Sequence, residues 1–241
     1  MFAANARTVP TLSTYVLVFN THRGPFADPE VRKAVARALE VDVLARAFGR
    51  AVTPARSLLP PGLLGHDAGR AAPARSRAPQ TFDLDVNLLV APVFRARYAR
   101  YAQSVLEILA QLGIRVKTHA GVAVPSSSDH QDAYIGRWVG DYPDPDSFMH
   151  DLLHSTAGAW GTLVGSPALD ARVERIRFEL DAMVRDSLCR DVEAAIADNA
   201  WLIPLFHDRL VLFAHPSVRG LTDDIVRSSG TVDYEALSID D

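Results

Sequence analysis

The sequence has 241 residues, 48% hydrophobic and 22% charged, with 25 basic against 29 acidic side chains; at this length folding buries roughly 70 to 75% of the chain's surface, so a core forms without disulfides or a structural metal, in one large domain or at most two small ones. A net charge of -4 with dispersed basic residues argues against a nucleic-acid partner, and the single cysteine, Cys189, can form neither an intramolecular disulfide nor a cysteine-based metal cluster. No apolar run approaches the roughly 20 residues that cross a bilayer, and residues 1–14 lack the charged start and apolar stretch of a signal peptide, so the chain is expected in the cytoplasm unless further sequence precedes it.

In chain order, residues 15–19 (YVLVF) form a short β-branched and aromatic run that suits a buried strand. Asp28, Pro29 and Glu30 then give a capping carboxylate, a proline at the first helical position and an acid near the positive end of the dipole, predicting a helix to about Leu39. A second helix starts at Asp42 and closes at Gly49. Residues 53–80, rich in Pro, Gly, Ala and Arg, read as an irregular surface segment. Residues 82–90 (FDLDVNLLV) alternate as a half-buried strand with Phe82, Leu84, Val86 and Leu88 on one face. After Pro92 a helical stripe of Tyr98, Tyr101, Val105, Ile108, Leu109 and Leu112 ends at Gly113, and residues 114–118 return as a strand. Strand, helix, glycine and strand within about 37 residues predict a βαβ unit with parallel strands and a right-handed crossover.

A polar loop over residues 125–131 leads to a strand at 133–139 and to the densest turn chemistry in the chain, GDYPDPD, residues 140–146. A helix follows from Pro145 through His154, then a glycine-rich loop at 158–166, then a helix from Pro167 with Leu169, Val173, Ile176, Phe178 and Leu180 as its apolar positions. A further helix spans about 183–199, with two short strands at 201–206 and 210–213 and a polar tail carrying a late apolar segment that ends at Ile239.

The segment IGRWVGDYPDPDSF, residues 135–148, resembles the signature region of the bacterial extracellular solute-binding proteins of family 5, the oligopeptide, dipeptide and nickel receptors of ABC transporters. Other parts fall in that family's order: YVLVFNT at 15–21, PFADPEVRKAVARAL at 25–39, LLPPG at 58–62, LAQLGIRV at 109–116, SPALDARV at 166–173, Asp181 with Arg185, IPLFH at 203–207 and PSVRGL at 216–221. The resemblance covers nearly the whole chain. It implies an α/β fold of the periplasmic-binding-protein type II kind, a mixed, partly parallel sheet flanked by helices. It also implies that residues 1–241 are the C-terminal lobe of a two-lobed binder whose N-terminal lobe is missing, placed outside the cytoplasm in the periplasm or as a cell-surface lipoprotein.

By that resemblance Asp141 is the carboxylate that pairs with a peptide's α-ammonium group, while Trp138 and Tyr142 form walls of the cleft. An ion pair of this kind in a desolvated cleft sets the polarity of the ligand. Read from the residues alone, Asp141 could equally cap Tyr142 or a nearby amide, and Trp138 could be core. Asp144 and Asp146 read as turn and helix-start residues. The sequence also departs from the family: Arg137 stands where a glycine usually precedes the tryptophan, the helix with an "A..LL..AG" pattern after LLPPG is replaced by AGRAAPARSRAPQ, and the stretch between the strands at 114–118 and 133–139 is short.

Other constellations are weaker. His150 and His154 in HDLLH sit at i and i+4, a zinc-hydrolase spacing, yet the intervening acid is aspartate and no third ligand is evident, so a partly exposed helix face is expected. No G-x-S-x-G elbow, P-loop or dinucleotide pattern occurs, and Cys189 lies inside an amphipathic helix as an inert thiol. Asp181 and Arg185 read as an i, i+4 structural pair. The expectation is therefore a protein that is not an enzyme and needs no cofactor or metal, capturing a small solute, most simply a peptide, for an ABC transporter membrane permease. The alternative is a ligand-sensing or regulatory domain of a larger cytoplasmic signalling or transcription protein.

Overall fold

The computed structural model describes residues 6–49, 52–67, 69–71, 80–121, 125, 130–222 and 232–240. Parts of the expected irregular segment at 53–80, of the polar loop at 125–131 and of the tail lie outside the described residues. Strands β1 (Ala6–Phe19), β2 (Val52–Pro54), β3 (Leu84–Val90), β4 (Ile114–Ala120), β5 (Ala133–Val139) and β6 (Leu202–Phe213) form one sheet in the order β2-β6-β1-β5-β3-β4. β3 runs parallel to β4 and β5, whereas β1 is antiparallel to both of its neighbours and β2 is antiparallel to β6. This is the mixed α/β sheet that the sequence predicts, and β3 and β4 are the adjacent parallel strands of the βαβ unit.

Helices cover both faces. Helices α1 (Pro29–Ala38), α2 (Val41–Arg46), α3 (Pro92–Arg95) and α4 (Ala99–Gln111) pack on one face, where Tyr15, Leu17 and Phe19 of β1 meet Val35, Phe94, Tyr101 and Val105. On the other face lie α5 (Asp146–Leu153), α6 (Gly161–Val164), α7 (Pro167–Phe178) and α8 (Ala182–Asn199), where Val16 and Val18 meet Leu152, Trp160, Val173 and Ile196. The signals for α1 act as expected: the Asp28 carboxylate accepts from the Glu30 amide at 2.8 Å. Among the described residues no helix is long and apolar enough to cross a membrane.

Several expectations need correction. β1 begins at Ala6, nine residues before the apolar run, and the two strands expected at 201–206 and 210–213 are one, β6. The two extensions pair with each other: 6–10 lie against 209–213, separated from the rest by a register shift between Pro10 and Thr14. At that irregularity the buried Asp208 carboxylate accepts from the Tyr98 hydroxyl at 3.0 Å and the Tyr15 hydroxyl at 3.2 Å. The stripe after Pro92 divides into α3 and α4, the glycine-rich loop contains α6, and Phe178 and Leu180 are exposed rather than packed.

The segment at 53–80 is not wholly at the surface. It opens with β2, and Ser57, Leu58 and Leu59 are fully buried. Their amides and hydroxyl converge on Glu193 of α8: its carboxylate accepts from Ser57 Oγ at 2.9 Å, Leu58 N at 3.1 Å and Leu59 N at 2.9 Å. Burial pushes the Glu193 carboxyl above its usual range, and these donors oppose the rise. Glu193→Ala leaves three buried donors unpaired, and a loss of about 3 to 5 kcal/mol in urea unfolding is expected.

His207 supplies a pH dependence of stability. Its Nδ1–H points at the Ser13 carbonyl (3.3 Å) and Thr14 Oγ1 (3.2 Å), while the buried Nε2 has no hydrogen-bond partner among the described residues. Burial lowers its pKa from 6.5 to about 4. The unfolded chain therefore binds this proton first as the pH falls, so the contribution is complete above about pH 6.5 and is lost progressively towards pH 4, up to about 3 kcal/mol in all. Urea unfolding at pH 7 and pH 4.5 should show a smaller acid loss for His207→Gln than for the unaltered chain.

Candidate functional site

The GDYPDPD loop leaves β5 and re-enters the fold at α5, and its geometry starts from Gly140. The Gly140 amide donates to the Leu12 carbonyl of β1 at 2.7 Å. A Cβ at this position would lie 2.6 Å from the ring of the buried Phe148, so a larger residue would force the loop off the core. Ser147 closes the loop from the other side: its Oγ accepts from the Asp141 amide at 3.1 Å, and its carbonyl accepts from Trp138 Nε1 at 2.7 Å. Trp138 is half-buried, packed against the core on the α5–α8 side of the sheet, with its single donor satisfied by the first turn of α5.

Two ion pairs bind the loop to the helices behind it. Arg185 of α8 donates from both terminal nitrogens to Asp144 at 2.7 and 2.6 Å, and its Nε donates to the Ile176 carbonyl at 2.9 Å. Burial raises the Asp144 carboxyl, but Arg185 and the Asp146 amide more than offset this and hold it below the usual carboxylate range. The partner of Arg185 is thus Asp144, not Asp181 as the spacing suggested; Asp181 instead caps α8 by accepting from the Met183 and Val184 amides at 2.9 and 3.0 Å. Arg177 of α7 pairs with the buried Asp146 at 3.2 Å. The Tyr142 hydroxyl donates to Asp146 Oδ2 at 3.0 Å, and burial together with that carboxylate raises its pKa.

Asp141 differs from its neighbours. Its side chain is exposed, and among the described residues its carboxylate makes no hydrogen bond and no ion pair. It caps neither Tyr142 nor an adjacent amide. Trp138 near the end of β5 and Asp141 and Tyr142 in the loop that follows lie within five residues, with the tryptophan half-buried, the tyrosine 39% exposed with its hydroxyl tethered, and the Asp141 carboxylate open. Ser147 and Arg177 are supporting residues that sequence reasoning missed, and Arg185, which it read as the partner of Asp181, is the third. The two arginines act across the fold, and only the serine stood inside the motif.

His150 is buried rather than partly exposed, with Arg177 Nη1 2.9 Å from its ring and the His154 ring centroid 4.8 Å away. Among the described residues no group of three or more His, Cys, Asp or Glu side chains could hold a metal. Cys189 is buried, and desolvation pushes its thiol up to about 12, which makes it unreactive. Arg137, in place of the family's glycine, lies with its guanidinium 6.0 Å from the centroid of the Tyr15 ring on β1.

The family model of the bacterial extracellular solute-binding proteins, family 5 Middle, matches residues 3–160. The chain belongs to this family. Among curated relatives of this solute-binding family, the chain is 28% identical over 207 residues to the di/tripeptide-binding protein 2 of Pseudomonas aeruginosa (strain UCBPP-PA14), covering 78% of this chain and 39% of that protein. It is 23% identical over 257 aligned positions to the dipeptide-binding protein of Escherichia coli (strain K12), covering 98% of this chain and 47% of that protein. The solved structure of HbpA2 from Haemophilus parasuis superimposes with a TM-score of 0.82 at 18% identity, over 98% of this chain and 50% of that one. The chain thus has the periplasmic-binding-protein type II fold and spans about half the length, or less, of the curated relatives it matches.

If the Asp144–Arg185 pair holds the loop in place, Arg185→Met should cost about 1 to 2 kcal/mol, since the pair is partly exposed and Asp144 keeps the Asp146 amide. Amide hydrogen exchange should rise at residues 141–147 and stay unchanged in β3 and β4.

Proposed function

We propose that this chain is the C-terminal lobe of a two-lobed peptide receptor that works outside the cytoplasm with the membrane permease of an ABC importer. Asp141 is its ammonium anchor, and Trp138 and Tyr142 are walls of its cleft. The observation that carries the reading is the open Asp141 carboxylate on a loop whose other two carboxylates and tyrosine hydroxyl each have a partner. A peptide's α-ammonium group supplies the donors this acceptor lacks, and the pair strengthens as closure removes water. The relatives' names support the class of ligand, since two of them are a di/tripeptide-binding and a dipeptide-binding protein.

The ribbon formed by 6–10 and 209–213 gives a route to the other lobe. It continues β1 and β6 past the sheet at the end where β1 meets the Trp138–Gly140 backbone, and its Val211 and Phe213 side chains are exposed. A lobe joined through this ribbon faces the loop and completes the cleft, with the register shift at Pro10 and Thr14 as the place where the connection bends.

The test is calorimetry of dipeptides on the full-length protein that carries this lobe. Asp141→Asn removes the charge while keeping the shape, and a roughly 10- to 100-fold loss of affinity for dipeptides with a free amine is expected, as for the loss of a charge-assisted hydrogen bond. N-acetylated dipeptides should bind weakly to both proteins. Unchanged affinity of Asp141→Asn for free amines would sink the anchor assignment.

A further inference from the structure

Away from the GDYPDPD loop, the chain forms a cavity of about 600 Å³ between the end of α1, α2, the residues that follow β2, and the junction of α8 with β6. That size is in the range of small-molecule sites. Its floor is apolar, built from Leu39, Val41, Ala55, Leu202 and Ile203. β6 locates it on the sheet: Leu202 pairs with Val18 and Pro204 with Val16, whereas the GDYPDPD loop departs beside Ser13, which pairs with Val139. From Ser13 to Val16 and Val18 is about 10 to 17 Å along a strand, and the cavity lies under α1 and α2 at the β6 side of β1 whereas the loop leaves β5 for α5 on the other face, so the two places are separate.

The rim carries charge in a particular balance. Four arginines, Arg37, Arg46, Arg56 and Arg70, line the cavity together with three acids, Glu40, Asp42 and Asp198. Arg56 is taken up by a close ion pair with Asp42, and Arg70 donates to the Glu193 carbonyl at 2.8 Å and lies 3.5 Å from Asp67. Arg37 and Arg46 make no hydrogen bond or ion pair among the described residues. An apolar floor below two free guanidinium groups suits a molecule with a hydrocarbon body and a planar anionic head, because guanidinium matches carboxylate geometry with two donors. Asp198, which makes no hydrogen bond or ion pair among the described residues, disfavours a second negative charge on the ligand.

We infer that this cavity is a second binding site, selective for an amphipathic monocarboxylate, with Arg37 and Arg46 meeting the head and Leu39, Val41, Leu202 and Ile203 lining the tail. It is built entirely from this chain and does not depend on the peptide reading.

The probe is decanoate, titrated into the chain by calorimetry below its micellar concentration. One saturable site is expected, weakened at least tenfold in the Arg37→Gln/Arg46→Gln double variant and unchanged in Asp141→Asn. 1-Decanol, which lacks the charge, should bind at least tenfold more weakly than decanoate. Ala197, exposed on α8 at the cavity wall, gives a blocking variant: Ala197→Trp should abolish binding with an unchanged thermal melt. The inference is overturned by the absence of saturable binding, or by decanoate affinity that survives both the double variant and the blocking variant.

Discussion

The fold depends on β1 being buried on both faces. In YVLVF the odd-numbered side chains Tyr15, Leu17 and Phe19 enter the core under α1–α4, and the even-numbered Val16 and Val18 enter the core under α5–α8. A strand between two helical layers has no solvent face, which is why it reads as a continuous apolar run instead of alternating. Its hydrogen-bonding edges are both used as well, against β5 on one side and β6 on the other. A one-residue slip would exchange the two sets of side chains, sending the aromatic rings into the layer shaped for valine. The register of β5, and with it the position of the GDYPDPD loop, follows from that constraint.

Polar groups then fix what apolar packing leaves free. Arg32 of α1 is buried and donates to the Phe26, Ala27 and Asn199 carbonyls, joining the start of α1 to the last turn of α8 across the edge of the sheet. Glu193 binds the 57–59 segment to α8, and Asp208 gathers two tyrosine hydroxyls at the point where β1 and β6 lose their common register. Each group costs desolvation and is retained with several partners, so removing a partner is more damaging than the net worth of any one bond. These contacts specify which segments meet, a task for which interchangeable aliphatic side chains are poorly suited.

How much of this was legible in the sequence follows the range of the interactions. β5 was readable to the residue and α1 nearly so, because a strand bounded by a turn and a helix opened by Asp28 and Pro29 carry their signals locally. The first nine residues of β1 were not, because ARTVPTLST has a mixed composition and becomes a strand by pairing with the end of β6 and with β5. β6 was divided for a related reason: His207, Asp208 and Arg209 look like a polar break, yet His207 and Asp208 are buried and paired within the structure. Phe178 and Leu180 continued an apolar count past the point where α7 stops touching the core. For the loop, the residue types were visible, and the open state of Asp141 was not. Arg185 had an acid at ideal helical spacing and still took Asp144, 41 residues away, because Asp181 was already engaged as a helix cap.

The contrast between Asp141 and its neighbours has a physical consequence of its own. A carboxylate on a mobile loop would lose conformational freedom when it met a cation, and that loss would subtract from affinity. Here the loop carries little such freedom: Gly140 is held to β1, Asp144 to α8, Asp146 to α7, and both Trp138 and the Asp141 amide to Ser147. Those anchors engage Arg185, Arg177, the Trp138 indole and the Tyr142 hydroxyl with groups other than the Asp141 carboxylate. The loop is thus held in place while the Asp141 carboxylate makes no hydrogen bond among the described residues, and a substitution that loosens the loop would weaken the proposed anchor through lost preorganisation. In the proposed reading, preorganisation of this kind makes Arg177 and Arg185 positioning residues for Asp141.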